Sequence, residues 1–207
     1  MEKARIMVVE DEAVISMEIQ DRLRRMGHSV CGAAISGDDA IRVASDKHPD
    51  LILMDVNLKG SIDGVDAATQ IRRSVDTPVI FLTAFADDRT VERARLTEPF
   101  GYLIKPFSEK ELYAAIEMAL YKHAMESKLR ESERRYATTL RCIADCVIVT
   151  DLNMGVVFMN PAAEAITGWK HEEALGKRLE EVFNIIDEKT FAPIESPIAK
   201  TIREDVI

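Results

Sequence analysis

Apolar positions in the first hundred residues follow two alternating patterns. Short unbroken runs, Ile6-Met7-Val8-Val9, Leu51-Ile52-Leu53-Met54, Val79-Ile80-Phe81-Leu82 and Gly101-Tyr102-Leu103-Ile104, stand between polar residues. Continuous runs of this length read as strands buried on both faces, as in a parallel sheet. The segments between them read as helices. The pattern predicts strand 5–10, helix 13–26, strand 29–34, helix 37–47, strand 51–55, helix 64–74, strand 78–82, helix 87–97 and strand 101–104. Such alternation implies a doubly wound α/β unit. Gly27 closes the first helix, Pro49 and Pro78 each precede a strand, and Ser108 with Glu111 forms a capping box that opens the next helix.

From Ser108 to about Leu140 neither proline nor glycine interrupts the chain, so this helix continues through Glu126–Tyr136. Its apolar positions Leu112, Ile116, Ala119, Tyr121, Met125, Leu129 and Tyr136 keep a ragged heptad, which suits a parallel coiled-coil dimer and a solvated spacer equally. Beyond residue 140 the pattern changes. Cys146–Asp151 and Val156–Asn160 flank a turn at Asn153-Met154-Gly155 and predict a β-hairpin, followed by a helix at Pro161–Trp169.

Three acids, Glu10, Asp11 and Asp55, stand where two of the apolar strands end. Taken singly, each reads as a solvated acid capping the next helix. Ligands of open α/β sheets gather at the carboxyl ends of the strands, and carboxylates collected there repel one another unless a hard cation such as Mg²⁺ intervenes. Thr83 follows the fourth strand and Lys105 the fifth, so the same edge receives a hydroxyl and an ammonium. Acids, hydroxyl and lysine together make a phosphoryl site. Asp55 is the expected nucleophile toward a small phosphodonor or a phosphohistidine, with Mg²⁺, Thr83 and Lys105 spreading the charge of the equatorial oxygens.

Val-Val-Glu-Asp-Glu, Leu-Met-Asp-Val-Asn, Phe-Leu-Thr-Ala and Tyr-Leu-Ile-Lys-Pro-Phe, in this order and spacing, resemble the receiver domain of two-component response regulators over residues 4–122. The resemblance implies a five-stranded parallel sheet in flavodoxin-like order 2-1-3-4-5. It makes Asp55 the phosphoacceptor, Glu10 and Asp11 the acidic pair that holds Mg²⁺, and the backbone carbonyl of Asn57 a further ligand. By the same resemblance Thr83 is the switch hydroxyl, Tyr102 the aromatic that turns inward behind it, and Lys105 the ion-pair partner of the aspartyl phosphate, with Lys105-Pro106 cis. Asn57 and Phe85 would flank the path of the hydrolytic water, and neither is a good base, which implies a long-lived phosphate. One departure stands out. Most receivers carry proline and methionine after the phosphoacceptor; here the loop Leu58–Gly64 lacks proline and reads one residue longer. Lys59, Arg72 and Arg73 near this edge read either as charges that steer a partner or as a solvated face.

Asp145 through Phe183, with Asn160-Pro161-Ala162-Ala163, Thr167-Gly168-Trp169 and Glu173–Lys177, resembles the front half of a PAS sensor domain. Only two of the five PAS strands are recognisable before Ile207, so a fragment of a longer protein is expected, burying little apolar surface in this part. The division is then 1–122 receiver, 123–139 helical signalling linker and 140–207 incomplete PAS domain, an α+β addition to the α/β receiver.

Composition narrows the partners. The chain has 207 residues, 47% hydrophobic and 30% charged, with a formal net charge of −9 and no basic stripe, which argues against a nucleic-acid surface. No apolar stretch approaches the roughly 18 to 20 residues that span a bilayer, so a soluble, cytoplasmic protein with no membrane partner is expected. Cys31, Cys142 and Cys146 read as reduced, mostly buried thiols. His28, His48, His123 and His171 are scattered and read as surface or partly packed. The expected partners are a histidine kinase or phosphotransfer protein, and a second copy through the receiver and linker helix. The expected function is that of a phosphorelay switch, not an enzyme beyond its own phosphorylation and dephosphorylation. The alternative is the front of a larger PAS-containing hybrid histidine kinase.

Overall fold

Side chains alternate across a strand, and β1 (Arg5–Val9) sends Ile6 and Val8 to one face and Met7 and Val9 to the other. All four are fully buried, so both faces must be covered. The same division runs through β3 (Leu51–Asp55) and β4 (Val79–Ala84), where Leu51, Leu53, Ile80 and Leu82 lie opposite Ile52, Met54, Val79 and Phe81. With β2 (Ser29–Ala34) and β5 (Gly101–Lys105) these strands form a parallel sheet in the order β2-β1-β3-β4-β5, the doubly wound order expected. A computed structural model of the chain describes residues 3–84, 99–184, 186–190 and 192. The helix expected at 87–97 and Phe85 lie outside the described residues.

Helices α1 (Ala13–Arg25) and α4 (Glu109–Cys142) cover one face with Ile19, Leu23, Leu112, Ile116 and Ala119. Helices α2 (Gly37–Lys47) and α3 (Gly64–Ser74) cover the other with Ala40, Ala44, Val65, Ala68 and Ile71. Each large aliphatic so buried contributes about 1.5–3 kcal/mol, which makes these two layers the main support of the unit. Helix ends are set locally. Gly27 has φ +89°, and the His28 N–H reaches the Leu23 carbonyl at 3.0 Å to close α1. Ser108 and Glu111 cap α4 reciprocally at 2.7 and 3.2 Å, as the capping box predicts.

The structure differs from the expectation at two strand ends. β4 extends to Ala84 and β5 to Lys105, because Thr83 pairs with Ile104 and Ala84 with Lys105. Thr83 and Lys105 therefore sit on the sheet's last rungs and not in the loops beyond. The histidines and thiols also differ in burial. His28 is 4% exposed, whereas Cys142 is exposed and Cys31 and Cys146 are half-buried, with no disulfide.

The chain divides into two compact units, Met1–Lys128 and Leu129–Ile207. In the second, β6 (Ile148–Thr150) and β7 (Val156–Met159) form the expected antiparallel hairpin, followed by α5 (Pro161–Thr167). Two short helices the sequence pattern did not indicate, α6 (His171–Ala174) and α7 (Leu179–Val182), come next. They close a small core of Met154, Val156, Met159, Ala163, Ala174, Leu179 and Val182, against which Trp169 packs. This corrects the expectation that the segment buries little. Residues 176–179 bond the backbone of Met154 and Val156 at 2.8–2.9 Å, so the segment satisfies the start of β7 itself.

Candidate functional site at the carboxyl edge of the sheet

Strand register assembles the site. Val9 pairs with Met54, which sets the next residues, Glu10 and Asp55, level at the sheet's carboxyl edge. Asp55 pairs with Leu82 and Ala84 with Lys105, which brings Thr83 and Lys105 to the same edge from β4 and β5. Glu10, Asp11 and Asp55 each offer a carboxylate oxygen within 4.8 Å of the others. The Glu10 side chain is fully buried and that of Asp55 nearly so.

Lys105 answers that buried charge. Its ammonium donates to Glu10 Oε2 at 2.5 Å and also to Asp55 Oδ2. Burial works against the charged lysine, but its hydrogen bonds to Asp55 and Glu10, with their charges, outweigh this and hold its pKa above the ordinary value. Burial pushes the Glu10 carboxyl above its usual range; the Lys105 hydrogen bond opposes the rise and the Asp55 charge adds to it. Asp55 Oδ1 accepts the backbone N–H of Asn57 at 2.9 Å, which fixes the carboxylate's second oxygen. The Lys105-Pro106 bond is cis.

Gly64 explains how the chain leaves Asp55 so tightly. A Cβ at position 64 would lie 1.9 Å from the Asp55 carbonyl oxygen, so no side chain fits while α3 starts where it does. Its N–H bonds the Val56 carbonyl at 3.0 Å, and Asp63 caps α3 through the Asp66 N–H at 2.9 Å. Over the same cluster, Lys59 Nζ lies 2.9 Å from Asp11 Oδ2, a contact that sequence reasoning left among solvated charges. Its only signal was the unusual loop length.

The two residues named as the switch stand in different settings. The Thr83 hydroxyl donates to the Ala84 carbonyl at 3.1 Å and not to the acid cluster. The Tyr102 ring packs inward on the α2–α3 face, 6.0 Å from Phe81 between centroids. The structure thus brings together Glu10, Asp11, Asp55 and Lys105, leaves the Thr83 hydroxyl bonded to backbone, and places the exposed Asn57 at the rim. An all-oxygen donor set of three carboxylates against two ammonium groups keeps an excess of negative charge, which fits a hard divalent cation. No described helix is long and apolar enough to cross a membrane.

In the second unit, sequence reasoning missed the connections of Asn160. This buried amide donates to the carbonyls of Leu140, Ile143 and Asp145 at 3.3, 3.0 and 2.8 Å. Its oxygen accepts from Val147 and Ala163 at 3.0 and 2.9 Å, capping α5 and tying the end of α4 to the hairpin. The Asn-Pro-Ala-Ala sequence was the only sign of it.

Comparison with known proteins agrees with this geometry. The family described as response regulator receiver domain matches residues 6–117, more than half of the chain, and the PAS fold family matches 134–202. The chain is similar to the transcriptional regulatory protein PdtaR of Mycobacterium tuberculosis, 41% identical over 116 residues, which cover 56% of each protein. It is 36% identical over 118 residues to the phyllosphere-induced regulator PhyR of Methylorubrum extorquens, covering 56% of this chain and 43% of that one. The chain thus spans about half the length of the curated relatives it matches. Among solved structures, the receiver domain of a modulated diguanylate cyclase from Desulfovibrio desulfuricans matches with a TM-score of 0.58 and 35% identity, over 60% of this chain and 99% of that one. The N-terminal domain of a response regulator/sensory box/GGDEF three-domain protein from Carboxydothermus hydrogenoformans matches with a TM-score of 0.56 and 35% identity, over 59% and 98%. A parallel sheet in receiver order, an acid cluster answered by a strand-end lysine, and these matches lead to one conclusion: the chain belongs to the response regulator receiver family of two-component signalling, with a PAS fold after its receiver.

Proposed function

We propose that this chain is a phosphoacceptor switch, phosphorylated on Asp55 in a Mg²⁺-dependent reaction and signalling to whatever output its PAS part serves. The observation that carries the reading is Lys105 bonded at once to Asp55 and Glu10 inside a three-carboxylate cluster. An Asp55 oxygen attacks phosphorus, the bond from phosphorus to the donor's imidazole nitrogen or acetyl oxygen breaks, and that donor atom keeps the electron pair. Glu10, Asp11, Asp55 and the backbone carbonyl of Asn57 would hold Mg²⁺, which supplies positive charge against the transferring oxygens. Lys105 remains beside Asp55 as the partner of the new aspartyl phosphate, and the Thr83 hydroxyl exchanges the Ala84 carbonyl for a phosphoryl oxygen. Tyr102, whose ring already packs inward behind Thr83's strand, is the packing half of the switch in this reading. Beyond transferring and losing its own phosphoryl group the chain catalyses nothing in this reading.

A histidine kinase or phosphotransfer protein is the proposed donor. Exposed Val14 and Met17 on α1, beside Asp11, and a cleft of about 300 Å³ lined by Ile15, Ile19, Arg22, Lys105 and Phe107 suit its approach. Exposed Met118, Tyr121 and Met125 on α4 favour a second copy as a further partner, in a cytoplasmic setting. The receiver-then-sensory-box order in the Carboxydothermus protein's description favours this reading over a hybrid kinase.

Intact-mass spectrometry after acetyl phosphate treatment tests the assignment. The expected result is one phosphoryl adduct that requires Mg²⁺ and disappears in Asp55→Asn; an adduct that persists in that variant, or forms equally in EDTA, overturns it.

A further inference from the structure

We propose that Lys59 is a resident counter-cation of the acid cluster, competing with the divalent ion for Asp11 and thereby setting how tightly that ion is held. This rests on the Mg²⁺ reading above. The loop that carries Lys59 is anchored on both sides. Leu58 is buried in the core beside α2 and α3, and the Ser61 hydroxyl donates to Asp38 Oδ2 at 2.6 Å. The Ile62 carbonyl sits so close to Gly37 that a Cβ there would lie 2.8 Å away, and Gly64 is seated on the Asp55 carbonyl. Between these anchors Lys59 and Gly60 bulge outward, Gly60 at φ +140°, which residues with side chains rarely adopt.

The bulge delivers an ammonium to one particular acid. Lys59 Nζ lies 2.9 Å from Asp11 Oδ2, with the Asp11 side chain 10% exposed and that of Lys59 84% exposed. Lys105 serves Glu10 and Asp55 from the strand side, so the two lysines divide the cluster and Lys59 takes the acid that Lys105 leaves. Three carboxylates in contact with two ammonium groups tolerate the absence of a divalent ion better than they would with Lys105 alone. A divalent ion that uses Asp11 competes with Lys59 for its charge, and because the Lys59 side chain is already mostly in solvent it yields with little desolvation change. The lysine therefore tunes affinity without blocking the site, a property of this unusual loop and not of the carboxylates.

Calorimetric titration of the full chain with MgCl₂ at low ionic strength tests the assignment, comparing the unaltered protein with Lys59→Met, Lys59→Arg and Asp11→Asn. Lys59→Met should tighten Mg²⁺ binding about 1.5- to five-fold, the range of an exposed ion pair. Lys59→Arg should keep the original affinity, and the gain in Lys59→Met should shrink as added salt screens the pair. Equal or weaker Mg²⁺ binding in Lys59→Met overturns the proposal while leaving the metal reading intact. If the unaltered chain shows no Mg²⁺ binding that Asp11→Asn weakens, the metal reading falls and takes this proposal with it.

Discussion

Removing the Lys105 ammonium, as Lys105→Ala, should destabilise the receiver unit strongly at neutral pH and make its stability respond to acid and to divalent ions. The lysine side chain is 18% exposed and contacts carboxylates that are 0% and 9% exposed. Breaking a buried ion pair by deleting one partner costs about 3–5 kcal/mol, because the other charge is left uncompensated. Two partners share this ammonium and part of it meets water, which lowers the expectation to about 2–4 kcal/mol. The cluster would keep three carboxylates against Lys59 alone.

The pH dependence follows from Glu10. Burial raises its folded-state pKa above the ordinary value, and Lys105 is the main group opposing that rise. Without the lysine the pKa rises further. A group with a raised folded pKa contributes stability that is full below the unfolded value and is lost as pH climbs through the folded one. Lys105→Ala should therefore recover stability as pH falls from 7 toward the ordinary carboxyl range, narrowing its gap to the unaltered protein. Mg²⁺ should narrow the gap at pH 7 by the same logic, supplying the missing positive charge. Urea denaturation followed by circular dichroism, at several pH values and with EDTA or MgCl₂, measures each quantity. A loss below about 0.5 kcal/mol at pH 7 in EDTA, or parallel pH profiles for the two proteins, would refute the reasoning from buried charge.

Gly64→Ala should cost about 3 kcal/mol or more and impair phosphorylation of Asp55, since a Cβ 1.9 Å from the Asp55 carbonyl can be relieved only by moving backbone; denaturation midpoints and the intact-mass assay check both parts. His28→Leu should stabilise the receiver by about 1 kcal/mol, because His28 is buried with neither ring nitrogen hydrogen-bonded; an unchanged or lower midpoint contradicts this. Asn160→Ala should remove a cap worth about 1 kcal/mol and unbond the Leu140, Ile143 and Asp145 carbonyls, which lie in half-buried or exposed residues and turn to water. Hydrogen exchange by mass spectrometry should then show residues 140–165 losing protection while β1 and β3 keep theirs.

The receiver sheet was legible because its signal is short-range and repeated. Ile6–Val9 and Leu51–Met54 are continuous apolar runs, and each is followed at once by its acid, so element type and site position come from the same few residues. The placement of Lys105 on β5, with Thr83 on β4, needed the pairing register, which propensity does not carry: Ala84 opposite Lys105 is a long-range fact. The Lys59–Asp11 contact depends on a loop path fixed by Ser61, Ile62 and Gly64 against groups from elsewhere in the chain. In the second unit, α6 and α7 are four residues each, too short for a hydrophobic period to register, and they exist because Ala174, Leu179 and Val182 close a core with Met154 and Val156. Asn160 was visible as part of a motif, but its three carbonyl partners lie 15 to 20 residues earlier and follow no local rule.

Thr83 and Tyr102 bear on how such a switch can be driven. In the resting network Lys105 already satisfies Asp55 and Glu10, Asn57 holds the other Asp55 oxygen, and Thr83 has a backbone acceptor. No polar group in that set lacks a partner, so the proposed switch would not be a vacancy being filled. The proposed switch would be an exchange, in which bonds to the phosphoryl oxygens outcompete bonds already made. Moving a two-state element from mostly off to mostly on requires about 5.5 kcal/mol of differential stabilisation. A single neutral hydrogen bond supplies about 1 kcal/mol net, so swapping the Ala84 carbonyl for an uncharged acceptor would fall short. Charge-assisted bonds from Thr83 and Lys105 to a desolvated dianion are roughly twice as strong. The remainder must come from contacts that differ between the two states, and the Tyr102 ring, which already lies against the α2–α3 core, contributes only through packing that changes. With the Tyr102 ring already seated, the proposed switch would have one bond on β4, Thr83 to the Ala84 carbonyl, left to exchange.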